Sequence, residues 1–571
     1  MYRRRPLFAF AAALLLGPGV AGAAEASVIA LPPYLVEETA KPLPWRYAEV
    51  AGMEVLSSCP ERLTRQLVAN HHRLHALLGE MVPPALQLKM TAPRTLLFVD
   101  SSHLPPTSQE VIAQMALTAV DQQRLDQVAV PIDDGRLRRR PPPPRYTFLP
   151  NLRLWDRDSQ ALFAVVKESE FDPNRVALTP DYVAYVLSHR LPALPPWYVS
   201  GVLTLFSRAR FSEDALTLER LDWLSASGSA ALLTGPAANR ALLPLPDFFA
   251  GELSASDPAL GEGLSLWQAQ AALFVRWGLA GRGGPRRAAL ATFVARAAVE
   301  PLTESLFQEC FAMDFATAWK QLTEHLPEAM RERLPLRPAQ RPRLPDYSLR
   351  PANELEIARL KGEWERLEIS YVKAQFPALV QKYVEQARRT LMRAYDRGSR
   401  DPRLLATIGL CEVDAGDDVA ARAFLEDAVT RTPTLRPRAG LELARLRFAA
   451  AGAPRSDAGP GLAPAQAQSV LAPLVAAREQ DPPLVDAYTL MADVWTACAQ
   501  PPTRADLTLL EEGVRMFPRD RELVLRTAAL NLRLGHHDTA RWLITLGLTL
   551  APDAAARTRF EALQAQVDAA R

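Results

Sequence analysis

Apolar and polar positions follow two rhythms along this chain. Before residue 330, short runs of β-branched and large apolar residues, RTLLFVD at 94–100 and ALFAVV at 161–166, stand among segments of helical period. That mixture predicts an α+β unit. Beyond residue 352 almost every apolar position falls at helical spacing. Between the two lies LPEAMRERLPLRPAQRPRLPDYSLRP, in which Pro327, Pro335, Pro338, Pro342, Pro345 and Pro351 forbid a continuous helix. The expected division is an N-terminal unit over 25–330, a proline-rich linker over 331–352 and an all-α unit over 353–571.

The helical half carries a repeat. Gly409, Gly416, Ala421, Leu425, Ala428 and Pro433 recur at identical intervals as Ala528, Gly535, Ala540, Ile544, Gly547 and Pro552. Small residues at these places let two antiparallel helices approach, the middle glycine turns the chain between them, and the proline ends the second helix. Two weaker units end near Pro482 and Pro518, and Ala387, Leu391 and Ala394 suit the second helix of an earlier one. This spacing resembles the tetratricopeptide repeat over roughly 355–565. The resemblance implies four or five hairpins in a right-handed superhelix, with a concave groove holding a protein or peptide ligand. The stretch 450–466 reads as a flexible loop on one edge.

The first residues change the picture of where the chain works. Arg3, Arg4 and Arg5 precede an apolar run from Leu7 to Leu16 and small residues at Ala21, Ala23 and Ala24, the layout of a secretory signal peptide over 1–24. The run is too short to span a bilayer, so the expectation is an exported chain, periplasmic or extracellular, without a transmembrane anchor. A net charge of +2 in 571 residues gives no field to recruit nucleic acid. The four cysteines, Cys59, Cys310, Cys411 and Cys498, have no metal-ligand spacing and form no dense disulfide framework.

Candidate chemistry centres on DYVAYVLSHRLPALPPWYVSGVLTLFS at 181–207. The Pro196-Trp197-x-x-x-Gly201 core resembles the segment after the zinc helix of peptidase MA-like gluzincins, and LSLWQAQAALFVRWGL at 264–279 resembles a helix packed behind their metal. In that family one helix carries H-E-x-x-H and the next a ligand glutamate. Counting from Trp197 puts Asp181, Tyr182 and Tyr185 where the family has His, Glu and His, and Ser200 where it has the second glutamate. One carboxylate, two phenols and a hydroxyl replace two imidazoles and two carboxylates, so the resemblance implies a degenerate gluzincin-like domain with no catalytic residue, metal or cofactor.

The competing expectation is an active metallopeptidase with an unrecognised ligand set, such as His189 with Glu168, Glu170 or Asp172. His71 and His75 share i, i+4 spacing near Glu80, but on a helix whose apolar stripe makes them flank a packed face. His536 and His537, in the turn between repeat helices, are expected to be exposed, and GRLRRRPPPPR at 135–145 to be a solvated loop.

Overall fold

The computed structural model describes residues 45–50, 52–82, 94–100, 152–166, 180–188, 190–212, 214–223, 242–250, 266–280, 284–338, 343–375, 377, 380–432, 436–452, 461–550 and 554–569. The expected signal peptide, the stretch 135–145, the acids at 168–172 and His189 lie outside these residues. The N-terminal half opens with an antiparallel hairpin, β1 (Arg46–Val50) and β2 (Met53–Ser57), followed by helix α1 (Glu61–Leu78). Strand β3 (Arg94–Asp100) runs parallel to β2. Beyond it, β4 (Leu152–Trp155) and β5 (Gln160–Val166) form a second antiparallel hairpin whose β5 lies parallel to β3. Alternation sorts the side chains: Leu97 and Val99 join Tyr47 and Leu56 on one face, while Leu96 and Phe98 join Ala48 and Val55 on the other. Helix α1 covers the second face with Leu63, Leu67 and Val68.

A helical lobe follows: α2 (Pro180–Ser188), α3 (Pro196–Phe206), β6 (Arg210–Phe211), β7 (Leu216–Leu218), α4 (Leu245–Ala250), α5 (Leu266–Leu279), α6 (Pro285–Ala297), α7 (Glu304–Phe311), α8 (Phe315–Arg331) and β8 (Leu334–Leu336). The expected linker is built into this half. Leu334–Leu336 pairs with β7, Leu344, Tyr347 and Leu349 pack on the sheet, and β9 (Arg350–Pro351) pairs with β1 to complete the order β4-β5-β3-β2-β1-β9. Proline suits both places, since β9 and β8 are edge strands whose outer N–H groups need no ladder partner.

The remainder is a stack of antiparallel hairpins: α9 (Glu354–Gln375) with α10 (Val380–Asp396), α11 (Pro402–Ala415) with α12 (Asp418–Arg431), α13 (Pro437–Ala450) with α14 (Pro464–Arg478), α15 (Val485–Ala497) with α16 (Arg504–Met516), and α17 (Arg521–Arg533) with α18 (His537–Leu550). Helix α19 (Ala554–Ala569) closes the end. The small residues expected at the packing positions, Ala421, Ala428, Ala528 and Ala540, are buried. A side chain at Gly409 would strike Leu425, and one at Gly547 the Phe560 ring. Gly416 and Gly535 turn their hairpins at φ values of 86° and 77°, where an L side chain is strained.

First helices of successive hairpins touch one another throughout the series α9, α11, α13, α15, α17. The side on which helices crowd is the concave side of a curved stack, so these helices form the inner wall. Helix α9 has two roles: Leu360, Trp364 and Leu367 cover the open face of the sheet, while Ala358 and Ile369 meet Ala387 and Leu391 of α10. The array and the sheet therefore share a helix.

Two local expectations are corrected. His536 and His537 are half-buried, because the His536 N–H closes α17 on the Asn531 carbonyl and His537 begins α18. Within 450–466, Leu462 is buried and bridges Cys498, so that end of the expected loop is packed; 453–460 lie outside the described residues. None of the four cysteines forms a disulfide. No described helix is long and apolar enough to cross a membrane.

Candidate functional site

The helix pair singled out by the sequence exists as α2 and α3, which pack together. Pro195 and Pro196 start α3 by pre-setting its first dihedrals. Asp181, Tyr182 and Tyr185 lie on α2, with their side chains outside the described set, and Ser200 is buried on α3. Gly201 sets how closely α3 approaches α5: a Cβ there would stand 2.5 Å from the Ala271 carbonyl oxygen. Trp197 is enclosed by rings, with centroids at 5.1 Å for Phe274, 5.5 Å for Phe249 and 5.8 Å for Phe293. Its indole N–H meets no acceptor among the described residues.

Among the described residues no three His, Cys, Asp or Glu side chains converge as metal ligands. His71 is buried on α1, as an apolar stripe demands, and burial, with Arg94 and His72, holds His75 down at about 3. Glu80 is engaged by Arg287 of α6, with N and O 3.3 Å apart.

A larger assembly of charge lies elsewhere, and it fills part of the groove. The β4–β5 turn, Asp156-Arg157-Asp158-Ser159, inserts against the inner wall. Arg366 of α9 pairs with Asp156 at 2.7 Å, with Glu363 at 2.9 Å and with Asp414 of α11 at 2.8 Å. Arg436, which caps α13, pairs with Asp158 at 2.6 Å and Glu363 at 3.1 Å. Arg438 joins Asp156 and, at 2.9 Å, Asp414, while its backbone N–H donates to Asp158 at 3.0 Å. Ser159 donates to Glu363 at 2.9 Å. Arg157, pointing onward from the turn, reaches Asp486 of α15 at 2.5 Å. One turn thus touches three first helices, α9, α13 and α15, and is linked to the fourth, α11, through the Arg366 and Arg438 pairs with Asp414.

Burial makes this cluster consequential. Arg366 has no exposed side-chain surface. Desolvation pushes Asp156 and Glu363 up, but Arg438 and Arg366 beside Asp156, and Arg366 and Arg436 beside Glu363, outweigh it and hold both carboxyls well below their usual range. Desolvation lowers Arg366, and the surrounding carboxylates raise it further than that. The turn is therefore held as an ionised, hydrogen-bonded plug.

The opposite shift occurs two residues along α9. Burial, followed by the charge of Glu365, raises Glu368 well above its ordinary value, against the Trp364 indole N–H and Lys361. Burial likewise raises Glu365, against Lys361 and the hydrogen bonds of Thr390 and Gln386. A carboxyl raised on folding keeps its proton while the unfolded chain releases it near about pH 4.3, so its contribution to stability falls as pH rises above that value. Glu368→Gln, which retains an acceptor for Trp364, is expected to stabilise the protein more at pH 8 than at pH 5 in urea titrations. Equal gains at both values would exclude the titration.

The sequence reading missed the plug. Its signals were modest: WDRDS between two apolar runs marks a hairpin turn, and Glu363 with Arg366 has i, i+3 spacing.

No protein-family model matches the chain, and no curated protein matches it. Solved structures similar to part of it include a thermophilic TPR protein from Thermus thermophilus, at 18% identity over 35% of this chain and 99% of that one, with a TM-score of 0.24. The MamA RS-1 ArsTM double mutant is similar at 17% identity over 37% and 97%, with a TM-score of 0.24. Pseudomonas aeruginosa pilF is similar at 12% identity over 37% and 93%, with a TM-score of 0.22.

Proposed function

We propose that this chain is an exported binding protein without peptidase activity. In this reading a degenerate gluzincin-like lobe is the mount for a tetratricopeptide-type array that binds a protein or peptide. The observation that carries the binding reading is the plug itself: inner-wall arginines already hold a segment of chain through its carboxylates. A wall that reads an internal peptide turn has the chemistry to read a partner's. The stretch beside Asp156 and Asp158 is occupied, so a partner engages the wall beyond it.

The loss of hydrolysis rests on donor chemistry. Asp181, Tyr182, Tyr185 and Ser200 supply one carboxylate, and a phenol with its proton near about pH 10 is neither a good zinc ligand nor a general base at neutrality. Purified mature protein is expected to carry no stoichiometric zinc by elemental analysis and to leave unfolded casein uncleaved. Zinc at one equivalent, or chelator-sensitive cleavage, would overturn the reading in favour of the metallopeptidase. Binding is tested separately by isolating a stoichiometric complex from the exported fraction on size exclusion.

A further inference from the structure

A cavity of about 200 Å³ opens where the helical lobe, the plug and the fourth hairpin meet. Leu191, just after α2, faces Pro482, Leu484, Val485 and Phe517 across it, and Arg157 and Asp486 stand at its polar end. It is smaller than the roughly 300–1,000 Å³ pockets that enclose a drug-sized ligand, and suited to one side chain of a longer one.

The polar end has a definite sign. Both carboxylate oxygens of Asp486 are engaged, Oδ2 by Arg157 at 2.5 Å and Oδ1 by Arg445 at 3.2 Å. Arg157 commits one guanidinium nitrogen there, its other nitrogens donate to none of the described residues, and its side chain is 43% exposed. What remains at the rim is donor capacity on a fixed cation. The residues on either side of Arg157 are the two plug carboxylates, anchored on Arg366, Arg436 and Arg438, so the backbone that carries this guanidinium is held in place before any ligand arrives.

We infer that this cavity is the anchor site for the partner: it takes an apolar side chain of leucine to phenylalanine size, with the carboxylate of an adjacent Asp or Glu in the same peptide paired to Arg157. The inference rests on the binding reading above and names its site and ligand chemistry. The wall next door, where arginines bind the carboxylates of Asp156 and Asp158, shows the same recognition already in use within the chain.

The test uses the full mature chain and a fluorescein-labelled peptide, Gly-Gly-Phe-Asp-Gly-Gly-Ser, with versions carrying Ala for Phe or Asn for Asp, followed by fluorescence polarisation. The parent peptide is expected to bind about tenfold or more tighter than either altered one. Arg157→Ala should abolish the preference for Asp over Asn and leave the preference for Phe. Ser188→Trp, which fills the mouth from an exposed helix end, should abolish the preference for Phe. Equal binding of the three peptides, or discrimination untouched by both variants, would overturn the assignment. So would phenylacetate alone competing as well as the peptide, since that points to a small free acid. If a native complex forms and survives both variants, the binding reading stands and the cavity is not its site.

Discussion

Arg366→Met is expected to lower the stability of the protein by about 3–5 kcal/mol, because it removes one partner from a buried ionic cluster and leaves the others in place. Asp156, Glu363 and Asp414 each lose a guanidinium, and only Arg436 and Arg438 remain to face them and Asp158. Methionine fills similar volume, so the loss is electrostatic and not a cavity. Urea titration at pH 7 measures it, urea being preferred because an ionic denaturant screens the effect. The acid side should change as well. Carboxyls held low in the folded state contribute stability that is present above their unfolded value, near about pH 4, and is lost as pH falls through the folded one. The variant should show a shallower fall in stability on acidification than the parent. A midpoint within about 1 kcal/mol of the parent, the level of a surface pair, would mean that the cluster is solvated and the plug is loose.

Trp197→Ala should cost a similar amount, about 3–5 kcal/mol, and Trp197→Phe should cost less than about 1.5 kcal/mol. Alanine empties the centre of a ring cluster in which Phe274 stands edge-on to Trp197 at 5.1 Å and Phe249 at 5.5 Å. Phenylalanine keeps most of those contacts and discards an indole N–H that finds no acceptor among the described residues. The pair of variants separates packing from polarity at the residue that the gluzincin resemblance was anchored on. Thermal unfolding reads both. If phenylalanine proved as damaging as alanine, the indole N–H would have a partner and a role beyond packing.

What could be read in the sequence was whatever repeats at short range. Gly409 and Ala540 belong to a pattern with a fixed period, and the structure places them between paired helices because small residues there are the only way two backbones come close. RTLLFVD was visible as β3 because a strand buried on both faces is a continuous apolar run. The proline-rich stretch was legible as a break in helix but not as a pair of edge strands, since proline forbids one conformation without choosing among the others. The plug left almost no trace. Asp158 and Arg436 are 278 residues apart, and ion pairing has no periodicity for a local pattern to reveal. On the candidate helix pair, Gly201 and Trp197 are explained by packing against α5 and the ring cluster, whatever chemistry α2 does or does not hold.

A stack of hairpins ordinarily has two ends at which units can be duplicated or lost, since each unit meets only its neighbours. This one is tied down at its first unit. Helix α9 is committed as the roof of the sheet, and the plug fixes the helices beyond it like the teeth of a key, with Arg438 and Asp486 each paired to one rigid turn and Asp414 tied to it through Arg366 and Arg438. Duplicating a hairpin anywhere among the first four would carry Arg438 or Asp486 about 10 Å or more out of reach, the spacing of packed helices. Lineages of this chain can therefore lengthen or shorten only past α16, so any diversity in repeat number should be confined to the distal tip while the proximal units stay fixed in number.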